Sequence, residues 1–197
     1  AVGRTVGHAS LIAGALSNLA ALATRQGHFH EARGLYAESR ELFARAADRA
    51  SVAWSLNFEA EAARRHGDLD GAEALLDVAL RQFLEFEDAW GIGSCLSDLG
   101  GLASDRRDFG LADARYRGGL RMFHAVQHRG GIRKALEGLV ITAAARQEHG
   151  RALRLAGAAE ALWCGYHDDF GGIRKRPDLE RALARARERA RLEEGSS

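Results

Sequence analysis

Written in rows of forty, the chain aligns with itself without gaps, and this periodicity constrains the fold more than any other feature. One column reads Leu16, Leu56, Leu96, Leu136, and another, seven residues on, reads Ala23, Ala63, Ala103, Ala143. A third reads Ala32, Ala72, Ala112, Ala152, and a fourth Phe43, Phe83, Phe123, Trp163. A spacing of seven places Leu16 and Ala23 two turns apart on one helix face. Leu19, Leu99 and Leu139 supply the intermediate turn, whereas Glu59 interrupts that column in the second row. Ala32, Tyr36, Ser39 and Phe43 step by three or four and mark a second helix. Alanine columns let two helix backbones approach closely, and the aromatic column fills the space further along. Each row is therefore a helix pair whose apolar faces are buried by each other and by the next pair.

Turn signals separate the two helices of a row. They read Gly27-His28-Phe29, Gly67-Asp68-Leu69 and Arg107-Asp108-Phe109. Gly27 and Gly67 suit the left-handed residue that ends a helix, and Asp68 and Asp108 suit the cap of the next. The fourth row, Gln147-Glu148-His149-Gly150, is degenerate and leaves room for a shifted turn. The first helices are expected near 11–25, 52–65, 91–105 and 132–147. The second are expected near 29–48, 69–85, 109–126 and 151–164. Residues 1–10 read as the remnant of a preceding segment, 11–165 as the four repeats, 166–177 as a loop and 178–194 as a capping helix. Pro177 suits the first turn of that last helix. Leu179, Leu183, Ala186 and Ala190 give it one apolar stripe, while Arg181, Arg185, Arg187, Arg189 and Arg191 keep its other faces polar. The expected fold is all-α: an α-α superhelix, or solenoid, of four helix pairs with a C-terminal capping helix.

The columns resemble the tetratricopeptide repeat. The first row matches through Leu16, Ala20, Ala23, Gly27, Phe29, Ala32, Tyr36 and Ser39. The third matches through Leu96, Gly100, Ala103, Phe109, Ala112, Tyr116 and Gly119. The family period is about 34 residues, so forty implies longer helices, and the family's proline near the repeat end is absent. A narrower resemblance lies in Leu136-Glu137-Gly138-Leu139 and in the run from Arg151 to Leu162. These look like the last repeat of large bacterial ATP-dependent regulators of the LuxR type. That resemblance implies the sensor or scaffold part of such a protein, since this sequence contains neither a nucleotide-binding loop nor a DNA-binding segment.

Composition narrows the function classes. Of 197 residues, 28 are basic and 27 acidic, and 46% are hydrophobic, which is a globular balance. Residues 1–100 carry 9 basic and 14 acidic groups, or −5; residues 101–197 carry 19 and 13, or +6. That asymmetry suits solvated helix faces, head-to-tail self-association or an anionic partner. Cys95 and Cys164 cannot build a disulfide framework, and no apolar run spans a bilayer, so a cytoplasmic setting is expected.

No catalytic pattern emerges. Neither Lys134 nor Lys175 precedes Ser or Thr, and Gly91-Ile92-Gly93 lacks a third glycine. His30-Glu31 meets Gly34 where a zinc-protease helix needs histidine. His124 and His128 lie four apart, but a structural zinc site wants four ligands and needs Cys164 and His167 to join them. His167-Asp168-Asp169 reads as a solvated polar connection, and Cys95 as a small packed side chain in the column of Ala15, Ser55 and Ala135. No metal and no cofactor is expected. Glu180, Glu188, Glu193 and Glu194 dilute the terminal arginines, and stacking aromatics are missing there, which disfavours nucleic acid.

What remains is a binding surface. The resemblance implies that the first helices line an inner groove. It would present Asn18, Arg25, Trp54, Asn57, Glu61, Arg64, Ser97, Lys134 and Glu137. The expected function is non-catalytic: a scaffold for a protein or peptide partner, or for a second copy. A small-molecule sensor is the alternative, and a metal-dependent enzyme using His124, His128 and His167 the least favoured. Trp54 would be costly to expose unless it anchors a partner or a neighbouring helix.

Overall fold

The computed structural model describes residues 2–163 and 177–194, and among them every regular element is an α-helix. In chain order these are α1 (Val2–Gln26), α2 (Phe29–Arg45), α3 (Arg49–His66), α4 (Leu69–Glu85), α5 (Ala89–Asp105), α6 (Phe109–Ala125), α7 (Arg129–Ala145), α8 (His149–Trp163) and α9 (Pro177–Glu194). From α2 to α7 the helices run 17 or 18 residues. The six residues beyond the family's period thus lie in the helices, as the spacing implied.

The turns follow a rule that the sequence shows only in part. Left-handed residues fall at Gly27, Ala47, Gly67, Glu87, Arg107, Gln127 and Gln147, twenty apart, with φ between 52° and 92°. At each, the N–H of the next residue reaches back five positions to a carbonyl: His28 to Ala23, Asp48 to Phe43, Asp68 to Ala63, Asp88 to Phe83, Asp108 to Ala103, His128 to Phe123 and Glu148 to Ala143. These bonds satisfy carbonyls that a helix end would leave unpaired. At five of the seven, the residue donating this bond also caps the helix that follows with its side chain; His28 does not. The carboxylates of Asp48, Asp68, Asp88 and Asp108 accept from the N–H groups of Ser51, Gly71, Gly91 and Leu111 at 2.9–3.1 Å. His128 does the same through Nδ1, accepting from Gly131 at 2.9 Å.

Several expected boundaries move for this reason. The second helix of the first row stops at Arg45 instead of running on to Asp48, which caps α3. Ala47, Glu87 and Gln127 carry a Cβ, so no glycine advertised those turns. The degenerate fourth turn keeps the common register at Gln147. At the N-terminus, residues 2–10 are helical and continuous with α1, which starts well before Leu11.

The chain forms two compact units, residues 1–98 and 99–197. The opposed charges of the two halves fall on these units, since residues 99 and 100 are uncharged: −5 for the first and +6 for the second. In the first unit, consecutive helices α1 to α4 pack side by side. Ala20, Ala23, Ala32, Tyr36 and Ala62 form one cluster, so the alanine columns do bring backbones together. Ser39 donates its hydroxyl to the Ala13 carbonyl at 2.8 Å, tying α2 to α1. Glu59, the residue that broke the leucine column, is buried and paired with Arg40 of α2.

In the second unit α6 packs on α7 and α7 on α8. Ala103, Ala112, Tyr116 and Leu139 form one cluster, with Leu120 against it. Leu120 and Leu139 each stand eighty residues after Arg40 and Glu59: the second unit fills with leucines what the first fills with an ion pair. A second cluster joins Val140, Ala143, Ala152, Ala156 and Ala186, with Leu179 and Leu183 beside it. Leu179 and Leu183 continue the columns of Leu139 and Ala143. α9 therefore docks as a further first helix, its arginines 181, 185, 187, 189 and 191 exposed.

Aromatic rings sit where the facing helix has glycine. A Cβ on Gly91 would lie 2.2 Å from the Phe83 ring, and one on Gly131 2.2 Å from the Phe123 ring. Gly138 faces Tyr116 in the same way, at 2.2 Å. These glycines are required by close approach, since their backbone is ordinary helix.

Candidate protein-binding face

In the first unit, the first-helix face gathers aromatic rings at one place. Trp54 of α3 lies 4.9 Å, ring centre to ring centre, from the core ring of Phe83 and 4.3 Å from Trp90 of α5. Phe58, one turn beyond Trp54 on α3, stacks on it at 5.8 Å. Phe83 is fully buried, while Phe58 is 46% and Trp90 44% exposed. A graded cluster results, anchored in the core at one end and open to solvent at the other. Rings held this way lose little side-chain freedom on binding, which suits them to anchor a partner.

Polar groups border the cluster. Asn57 is buried beside it and donates Nδ2 to the Asp98 carboxylate at 3.1 Å. One turn on, Arg64 donates Nε to Glu61 at 3.0 Å. Glu61 and Arg25 both act electrostatically on the Tyr36 hydroxyl. Burial pushes that phenol above its ordinary pKa, and a hydrogen bond with Thr24 partly opposes the shift. Burial also lowers the pKa of Arg40.

The expected groove residues divide by burial. Asn18 and Arg25 are exposed, and Trp54, Glu61, Arg64 and Lys134 are half-buried. Asn57, Ser97 and Glu137 retain only 4%, 1% and 7% exposure, so their side chains serve the packing between helices. The Ser97 hydroxyl has no hydrogen-bond partner. In the second unit Glu137 is paired with Arg133, one turn before it on α7. Trp54, Asn57, Glu61 and Arg64 are one constellation on α3, whereas Lys134 and Glu137 lie on α7 of the other unit. Phe58 and Trp90 were missed by sequence reasoning. Their columns hold Asn18, Asp98 and Gly138, and Ser10, Ala50 and Gly130, so no repeat announces them. Their signal was the reverse: large aromatics at positions otherwise small or polar.

The candidate metal pair resolves differently. His124 is exposed, while His128 uses Nδ1 to cap α7. Among the described residues no group of three metal-ligating side chains converges. Cys164, His167, Asp168 and Asp169 lie outside the described residues. Cys95 is fully buried on α5, where the column analysis placed a packed side chain. No described helix is long and apolar enough to cross a membrane.

Seven turns at a constant spacing, alanine-lined helix pairs and a docked last helix define an all-α, tetratricopeptide-like domain. Residues 11–85 match the family profile described as tetratricopeptide repeat. Among solved structures, the crystal structure of BtubC (BKLC) from P. vanneervenii is similar, with a TM-score of 0.66 over 85% of this chain and 70% of that one. Identity is 19%, so this likeness concerns the fold alone. No curated protein matches the sequence.

Proposed function

We propose that the chain is a non-catalytic scaffold that binds a protein or peptide through the first-helix face of residues 1–98. The observation that carries this reading is the Trp54–Phe58–Trp90 cluster: three large rings, one edge held by Phe83 and two rings half in water. Tetratricopeptide domains commonly bind protein or peptide partners, which is consistent with such a face. Asn18, Arg25, Glu61 and Arg64 would set its polar rim, and Asn57 and Ser97 would act through the packing beneath; Lys134 and Glu137, on the other unit, would offer polar groups of its own first-helix face. The setting we propose is the cytoplasm, with the chain serving as the regulatory repeat region of a larger bacterial transcription regulator. The regulator-like runs at 136–139 and 151–162 support that context.

The test is capture and crosslinking of protein partners with the intact chain and with Phe58→Ala and Trp90→Ala variants. Both side chains are half exposed, so the variants keep the fold. Partners retained by the native chain and lost by both variants support the scaffold. No protein partner of any kind, a second copy included, would overturn it. The alternative, a small-molecule sensor, rests on the same regulator-like runs. It expects a saturable rise in melting temperature with a metabolite, because a ligand bound to the native state stabilises it.

A further inference from the structure

The two terminal helices of the repeat series differ in what they leave uncovered. α9 turns an arginine-rich face outward. α1 instead exposes Leu11 by 74%, Ile12 by 52%, Leu19 by 52% and Leu22 by 42%. The columns identify this face. Ala15, Leu19 and Leu22 correspond in α3 to Ser55, Glu59 and Ala62, and in α7 to Ala135, Leu139 and Thr142, all buried. There the cover is the second helix of the preceding pair. Ser55 donates to the Tyr36 carbonyl of α2, Glu59 pairs with Arg40, and Leu139 clusters with Tyr116 and Ala112 of α6. The face that every such first helix gives to the helix before it is bare on α1.

We propose that this α1 face docks one further amphipathic helix of the repeat's second-helix type, supplied by another helix pair. The repeated interface specifies its chemistry. Facing Leu19 it carries leucine, as Leu120 packs against the cluster that holds Leu139. Facing Leu11 it carries a small residue, because Leu11 occupies the column where Gly91 and Gly131 make room for Phe83 and Phe123. That requirement argues against a second copy. α2, α4 and α6 carry Phe43, Phe83 and Phe123 in that column and are already covered by α3, α5 and α7, while α8 is covered by α9.

The test grafts a probe helix onto the intact chain. A copy of residues 69–88, carrying alanine at its Phe83, replaces residues 1–8, so that it precedes α1 as α4 precedes α5. Docking is expected to raise the melting temperature by several degrees and to abolish dye binding to the exposed apolar face. Leu19→Glu in the grafted chain should cancel the gain. Arginine at the probe's Leu80 should then restore it, reproducing the Arg40–Glu59 pair. The unaltered phenylalanine probe should gain little. Leu19 is half exposed and its counterpart is Glu59, so the ungrafted Leu19→Glu chain should fold normally. An unchanged melting temperature on grafting, or a gain indifferent to Leu19→Glu, would overturn the proposal. So would a native chain that is dimeric and becomes monomeric on Leu19→Glu, which would give the face to a second copy.

Discussion

Glu59 shows how one side chain can look like an error in a repeat and be fully explained by its partner. A lone carboxylate buried between helices is costly, and Arg40 offsets that cost at the one place where it can reach. Removing Arg40 alone, as Arg40→Met, is expected to destabilise the chain by about 3 kcal/mol. The double change Arg40→Leu with Glu59→Leu restores the pattern of Leu120 and Leu139, and should leave stability unchanged or raised by about 1 kcal/mol or more. Urea denaturation of the two variants checks both signs. The glycines behave in two opposite ways. Gly138→Ala would drive a Cβ into the Tyr116 ring and should cost about 1–3 kcal/mol despite alanine's better helix propensity. Gly34→Ala, on the exposed side of α2 with nothing within 4 Å, should stabilise by about 0.5–1 kcal/mol. Sequence cannot tell these two glycines apart, because both sit inside helices and only the facing ring distinguishes them.

The helices themselves were legible because the alanine, leucine and aromatic columns carry a helical period. The turns were legible only where glycine or aspartate marked them. Ala47, Glu87 and Gln127 take the left-handed conformation because packing on both sides fixes the helix ends, and a non-glycine residue there is strained by about 1–2 kcal/mol. Arg107→Gly and Gln127→Gly should therefore be neutral or stabilising by up to about 1 kcal/mol, since relief of strain is partly offset by the freedom glycine adds to the unfolded chain. Gly67→Ala should destabilise by about 1 kcal/mol for the same reason in reverse. Thermal denaturation of the three variants reads the pattern. The α7–α8 junction adds a pH signature. Glu148, which directly precedes the fourth pair's second helix, accepts from Arg151 at 2.7 Å, which holds its carboxyl below the usual range. A depressed carboxylate stabilises the fold above its unfolded pKa and loses that contribution as pH falls through the folded value. Arg151→Ala should accordingly flatten the acid side of the stability profile, visible in melts from neutral pH down through the carboxylate range.

At the scale of the whole molecule, one rule generates both units: neighbouring helices stand twenty residues apart, and equivalent contacts recur at forty. The regular elements follow from that rule, so most of the fold could be read from the sequence. The candidate binding face could be read only halfway. Trp54, Asn57, Glu61 and Arg64 were reached from the inner positions of the family, whereas Phe58 and Trp90 depart from the columns and became visible only when α3 and α5 brought their rings beside Trp54. Function enters a repeat protein through such departures, because the columns themselves are occupied by packing.

The most direct test of the forty-residue rule is a pair of deletions compared by circular dichroism and urea denaturation. Removing residues 89–128 joins Asp88 to Arg129 and keeps every column in register, so that Phe83 meets Gly131 and Asp88 takes over the cap of α7. Removing 89–125 takes out almost the same chain but shifts the columns by three. The forty-residue deletion is expected to keep its helix content per residue and a cooperative transition, and the shorter one to lose both. Equal tolerance of the two deletions, or equal collapse, would contradict the rule.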